Sequence, residues 1–208
     1  MLPVVAGVRR RFPESVVSVD TVKAEVAERA LGEGAAIVND VSAFRLDERM
    51  AQVCAHARAG VVLMHSRGGV SDMATFAHAN YGDDVVGEVL AELLPRASAA
   101  EQAGVPREAI VLDPGIGFAK RSEHSLAVLA ELPRIVDADY PVMVGVSRKR
   151  FLGEITGVRD PAERVHGTTG ANVMALALGA RIFRVHEVAA ARQALDVAWA
   201  ILQHESNG

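Results

Sequence analysis

A parallel α/β fold, wound as most of a (β/α)8 barrel, follows from three features of the 208-residue sequence. Short β-branched runs alternate with longer Ala/Leu/Glu/Arg runs. The strand runs are apolar without alternation, and each ends in polar residues. Strict strand–helix repetition implies a parallel sheet. Unbroken apolarity implies strands buried on both faces.

The strand runs lie at 16–19, 36–38, 61–64, 110–112, 142–146 and 182–185. Helical runs occupy 2–11, 23–31, 48–59, 84–103, 123–132, 169–178 and 189–202. Several stop at a glycine (Gly32, Gly60, Gly104, Gly179), the residue best suited to end a helix in a left-handed turn. In the last helix Ala191, Leu195, Ala198, Trp199 and Leu202 form a stripe at three-to-four spacing, which places Trp199 in the core. Longer loops are expected at 67–81 and 145–164, and a frayed tail at 205–208.

Six strand–helix units could form an open doubly wound sheet or three quarters of a barrel. In order, the strand ends read Asp20-Thr21, Asn39-Asp40, His65-Ser66-Arg67, Asp113-Pro114-Gly115, Ser147-Arg148-Lys149 and His186-Glu187. An open sheet gathers its polar groups at one switch point. Polar groups at every strand end favour a barrel with its site on the C-terminal face.

Composition narrows the class. Half the residues are hydrophobic and 23% are charged, the balance of one ordinary domain rather than a disordered chain. A net charge of −4 argues against a nucleic-acid or membrane surface. The one cysteine, Cys54, rules out an internal disulfide and agrees with a cytoplasmic location. No apolar run reaches membrane-span length. The apolar residues at 1–8 precede Arg9–Arg11, the reverse of a secretory signal.

Asp20, Asn39 and Asp113 close three different strands and can converge in the barrel mouth. Two acids and an amide suit a flat heterocycle rich in N–H and C=O groups. Helix capping is the plain alternative for such residues, and it is the expectation for Asp40 and Asp47. Phe118, between Gly117 and Ala119, can wall a planar ligand or pack in the core. Lys149 can bond a carbonyl or ring nitrogen, and Arg148 suits a planar or anionic group. Arg184 and His186, two apart on one strand, share a face and make an anion clamp.

The blocks S-V-D-T, I-V-N-D-V-S, L-M-H-S-R-G, L-D-P-G-I-G-F-A-K, V-G-V-S-R-K-R-F-L-G and R-V-H-E, in this order, resemble the dihydropteroate synthase family over nearly the whole chain. The resemblance implies a TIM-barrel-like (β/α)8 fold in a single domain, 1–208, here with about six βα units. It implies transfer of a dihydropterin methylene from diphosphate to 4-aminobenzoate. By that resemblance Asp20, Asn39, Met64, Asp113 and Lys149 hold the pterin, with Asp113 and Lys149 catalytic. Arg184 and His186 meet the diphosphate, and Phe118 and Arg148 frame the 4-aminobenzoate site. Mg2+ is the implied cofactor, sulfonamides the implied competitors and a homodimer the implied assembly, with Trp199 and Leu202 as contact candidates.

The family's N-V-T-P-D-S-F strand and E-S-T-R-P-G-like loop are absent, and with them the first two strands and the family's metal-reaching Asn. An unclosed barrel, no metal ligand within these residues and little turnover by this chain alone are therefore expected. Arg150 and Glu187 stand where the family commonly has Ser and Asp. Two alternatives follow: a non-catalytic pterin-binding module or partner subunit, and a pterin-dependent methyltransferase needing a corrinoid partner.

Overall fold

The computed structural model describes residues 1–205; the rest of the expected tail, 206–208, lies outside the described residues. Helix α1 (Leu2–Arg11) leads into six strands: β1 (Ser18–Asp20), β2 (Ile37–Asp40), β3 (Gly60–Met64), β4 (Ile110–Asp113), β5 (Met143–Val144) and β6 (Ile182–Phe183). Between and after them run α2 (Ala24–Gly32), α3 (Met50–His56), α4 (Val85–Gln102), α5 (Ser122–Ala130), α6 (Leu132–Val136), α7 (Arg150–Thr156), α8 (Val165–Ala177) and α9 (Val188–Glu205).

β1 to β4 pair in parallel in chain order, and β5 pairs in parallel with β6. A single parallel bridge between Leu112 and Val142 joins the two groups. The order never reverses, so the sheet has no switch point and curves as a barrel wall. Among the described residues β1 and β6 share no ladder, and the wall stays open between them.

Two cores hold the helices to this wall. Val38, Val61, Leu63, Ile110 and Leu112 meet Ala24, Ala27, Met50, Cys54, Leu93 and Ala97 of α2–α4. Small alanines on the helix faces let backbone approach the strands closely. Val142, Val144 and Val146 meet Val89, Val128, Leu132, Ile135, Phe151, Leu152 and Ala175 in the second core. Cys54 is fully buried, and burial pushes its thiol up to about 12, so it is inert packing.

Several expectations shift. The stretch 145–164 is not all loop: it holds α7 and a 3-10 turn, Pro161–Glu163. Phe151 and Leu152 anchor α7 in the second core, and Gly157, at φ +74, ends it. Trp199 is 40% exposed rather than core, its ring lying 4.8 Å from the Arg181 guanidinium. α9 instead buries Ala191. Asp47 does not cap the helix that follows it, whose N-cap position is Arg49 without a side-chain bond, but serves the start of α2 instead. Its Oδ1 accepts from Arg49 N at 3.1 Å, while Oδ2 accepts from Ala24 N, at the start of α2, at 2.8 Å. Asp40 caps no helix: its Oδ1 accepts from the amide and hydroxyl of Ser42 within a turn.

Leu63 is fully buried at the centre of the first core. Leu63→Ala is expected to lower unfolding free energy by about 2–5 kcal/mol in chemical denaturation. A loss well below that range would show that the helices collapse onto the vacated space.

Candidate functional site

The site is built where the parallel strands end. A cavity of about 390 Å3 opens there, lined by Asp20, Asn39, Met64, Asp113, Phe118, Arg148, Lys149, Arg184 and His186, with Gly115, Ile116 and Ser147 among its other walls. All nine residues singled out from the sequence therefore face one space. The parallel register explains the convergence. Asp20 lies level with Asn39 across β1 and β2, and Met64 level with Asp113 across β3 and β4, while Asn39 pairs with Val62, so the second pair sits two residues further along the wall.

The floor is acidic and polar. Asn39 Nδ2 donates to Asp20 Oδ1 at 2.8 Å, which orients the amide and leaves the buried Asn39 Oδ1 without a partner. An unpartnered buried acceptor is costly unless a ligand supplies the donor. Asp113 is buried, and its Oδ1 accepts from Gly115 N at 2.8 Å. Burial pushes its carboxyl up to about 6, against the Gly115 amide and the charges of Lys149, Lys120 and Arg184. Burial likewise lowers the Lys149 ammonium, opposed by Asp113.

Two glycines make the Asp113 loop possible. A Cβ on Gly115, at φ +68, would sit 1.9 Å from the His65 carbonyl oxygen. One on Gly117, at φ +76, would sit 3.1 Å from Lys149 Cδ. Lys149 thus lies over Gly117, its Nζ 4.1 Å from the centroid of the Phe118 ring. Phe118 is half-buried and lines the cavity rather than packing within either core.

The rim is cationic. Arg184 Nη2 donates to Asp20 Oδ2 at 2.9 Å across the open side of the wall. His186 N donates to Ser147 Oγ at 3.3 Å, and the same hydroxyl lies 2.8 Å from His186 Nδ1, so Ser147 holds both the backbone and the ring of His186. Arg148 sits at φ +62, a strained conformation for a side chain of its size. Three contacts hold it there. Its amide donates to Thr168 Oγ1 at 3.2 Å, its guanidinium pairs with Glu187, and its carbonyl accepts from Arg164 Nη1 at 3.0 Å.

Ser147, Arg164, Thr168 and Glu187 were not among the residues expected at the site. Arg164 also donates to the Lys149, Val158 and Arg159 carbonyls, stapling the turn that carries Arg148 and Lys149. Gly153 gives the guanidinium its seat: a Cβ there would lie 2.7 Å from it. Ser147 was legible as a hydroxyl two residues before Lys149. Nothing local in the sequence marks Arg164.

A cavity with an acidic floor and a cationic rim on the C-terminal face of a barrel wall suits a flat N–H-rich ring joined to an anion. The model of the family described as pterin binding enzyme matches residues 1–186, and the chain belongs to that family. Within it the chain is similar to dihydropteroate synthases. The one from Synechocystis is 40% identical over 200 residues, covering 96% of this chain and 68% of that protein. The crystal structure of the Thermus thermophilus dihydropteroate synthase in complex with 4-aminobenzoate is 49% identical, with TM-score 0.88. It covers 96% of this chain and 75% of that one. Its complex with 6HMPPP gives TM-score 0.89 at 49% identity, with coverage of 97% and 78%. These neighbours confirm the TIM-barrel fold. "Inactive dihydropteroate synthase 2" of Mycobacterium tuberculosis is 37% identical, covering 95% of this chain and 62% of that protein.

Asp113 gives the site a pH signature. A raised acid pKa means that the native chain holds more protons than the unfolded one between 3.8 and about 6. This group's contribution to stability therefore falls as pH rises through that window. Binding of a ring through its N–H groups would run the other way, because the ionised carboxylate is the better acceptor. Calorimetric affinity for such a ring is expected to be flat above about pH 6 and to fall about tenfold per unit below it. Affinity unchanged down to about pH 4.5 would remove Asp113 carboxylate from the contact.

Proposed function

We propose that this protein is a dihydropteroate synthase, a transferase of folate biosynthesis. Its substrates are 6-hydroxymethyl-7,8-dihydropterin diphosphate and 4-aminobenzoate. The observation that carries the reading is the single cavity lined by all nine residues.

In this reading the pterin lies on the floor. Asp113 accepts its ring N–H groups, and the unpartnered Asn39 Oδ1 takes another. Asp20 completes the polar edge, Met64 packs against the ring, and Lys149 donates to the ring carbonyl or a ring nitrogen. The diphosphate projects to the rim, where the Arg184 guanidinium and the His186 ring receive it. The methylene C–O bond breaks, and its electron pair leaves with diphosphate. The charge left on the pterin is delocalised beside the fixed carboxylates of Asp113 and Asp20, which stabilise it without reorganising. The 4-aminobenzoate amine, placed between Phe118 and the Arg148 turn, forms the new C–N bond and loses one proton.

Mg2+ fits this site in only one way. Among the described residues no group of three His, Cys, Asp or Glu side chains could hold a metal. Mg2+ commonly rides on substrate phosphates with few protein ligands, and we place it with the diphosphate rather than in a protein cage. There it would neutralise charge on the leaving group. The assembly we propose is a homodimer. Its support is an apolar groove of about 360 Å3 between α5, α7 and α8, flanked by the exposed Ile155 and Met174. A cytoplasmic location is supported by the buried lone thiol, and no helix among the described residues is long and apolar enough to cross a membrane.

A second reading, pterin binding without turnover, is favoured by the inactive mycobacterial relative. Calorimetry with 6-hydroxymethyl-7,8-dihydropterin diphosphate separates the readings from failure of both. Asp113→Ala is expected to weaken binding at least about 100-fold; unimpaired binding would dispose of the pterin pocket. Dihydropteroate production by the wild-type chain then decides between synthase and silent binder.

Arg184→Ala is expected to weaken binding of the diphosphate ester about 10- to 100-fold. Affinity for the unphosphorylated 6-hydroxymethyl pterin should remain unchanged. Equal losses for both ligands would place Arg184 on the ring instead of the leaving group.

A further inference from the structure

Lysine is rarely sealed inside a protein unless every proton of its ammonium is matched. Lys120 is the largest fully buried side chain among the described residues, at 1% exposure. Its Nζ lies 2.8 Å from His65 Nδ1 and 3.3 Å from each of the Gly115 and Phe118 carbonyl oxygens. Three protons meet three acceptors. Because His65 Nδ1 accepts, its hydrogen sits on Nε2, which donates to Glu92 Oε2 at 3.2 Å. Burial pushes His65 down to about 4, so the ring is neutral, as this pattern requires. The hydrogen bond from His65 in turn helps hold Glu92 low, at about 2. Burial draws the Lys120 ammonium down to about 7, while Asp113 and Glu92 pull it back. The cation therefore depends on its acceptors staying in place.

The geometry of this relay bears on the substrate face. Lys120 reaches back beneath its own loop and ties down the carbonyls at both ends of the turn 115–118. The upper side of that turn is the seat of Lys149 over Gly117 and the Phe118 ring. The anchor on the far side is tied to the fold: His65 directly follows strand β3 and its amide donates to the Asp113 carbonyl at 2.8 Å, and Glu92 lies on α4 and is also bound by Arg67 Nε at 2.8 Å.

We propose that Lys120, with His65 and Glu92, is a positioning device. It touches neither substrate but fixes the turn that presents Phe118 to the aromatic amine and seats Lys149. The proposal rests on the synthase reading for the identity of the amine, and on these contacts alone for the ordering of the turn.

The test compares Lys120→Met, His65→Leu and His65→Gln with the wild-type chain. Lys120→Met keeps the length and removes the protons. It is expected to raise the KM for 4-aminobenzoate about tenfold or more, the scale of a slightly misplaced binding group. The calorimetric affinity for the pterin diphosphate, which meets Lys149 but not Phe118, should fall by less than the KM rises, and amide exchange at 115–119 should quicken. A merely structural lysine would instead lower the melting temperature and shift both substrates equally, or neither; either result overturns the proposal. If Lys120→Met does not fold, the histidine pair decides. Gln keeps an acceptor for Nζ and a donor for Glu92 and should preserve the KM, whereas Leu should raise it; equal behaviour overturns the proposal. If the wild-type chain binds pterin but forms no dihydropteroate, the synthase reading fails by itself. Amide exchange at 115–119 then judges the positioning device: rates unaltered by Lys120→Met, or by His65→Leu where that variant is used, overturn it.

Discussion

The seam between β3 and β4 is where the backbone and the chemistry of this site depend on each other. Met64 stands opposite Asp113 in register, His65 N donates to the Asp113 carbonyl at 2.8 Å, and Gly115 lies against the His65 carbonyl oxygen. No side chain fits at Gly115, so the loop after β4 must fold back over the end of β3. That fold turns the Asp113 carboxylate into the cavity and passes its Oδ1 to the Gly115 amide. It also leaves the space beneath the turn that Lys120 fills. Disturbing one contact would disturb the carboxylate, the turn and the lysine together.

The electrostatics follow from this burial. An acid and a lysine facing the same cavity both lose water, and each is pushed toward neutrality: Asp113 upward, Lys149 downward. Their mutual attraction opposes both shifts but does not cancel the desolvation. The resting site is therefore imperfectly satisfied, and the unpartnered Asn39 Oδ1 adds to the deficit. A ring with donors and an acceptor at matching positions removes these penalties at once. Affinity of this kind arises from groups left wanting partners, and a ligand lacking the donors is rejected for the same reason.

Much of this was legible from residue order alone, for a specific reason. In a parallel sheet every strand ends on the same face, so a polar residue closing an apolar run has one place to go. Asp20, Asn39, Asp113, Lys149, Arg184 and His186 obey that rule, and the cavity collects them. What could not be read depends on distance in sequence. Asp47 caps a helix that begins at Ala24, and Arg164 staples carbonyls as far back as Arg148. Trp199 fits the apolar stripe of α9 by spacing, yet its ring lies out under Arg181, because spacing assigns a face without saying how wide the buried part is. The helix at Arg150–Thr156 was hidden by the glycines around it: Gly153 accommodates Arg164, and Gly157 is the stop.

Arg184 and Asp20 tie these points to function. Asp20 ends β1 and Arg184 directly follows β6, the two strands that flank the open side of the wall, and one hydrogen bond of 2.9 Å spans the gap. Both side chains are substantially exposed, so the pair adds little to stability. Its value is directional. A guanidinium has five donors in a fixed fork, and the bond to Asp20 occupies only part of it. The rest is free for the rim, beside the His186 ring that Ser147 holds through Nδ1. Asp20 thereby joins the two halves of the site: it orients Asn39 on the floor through one oxygen and Arg184 on the rim through the other. A substrate that is a ring at one end and an anion at the other would meet both halves already set in register by one carboxylate.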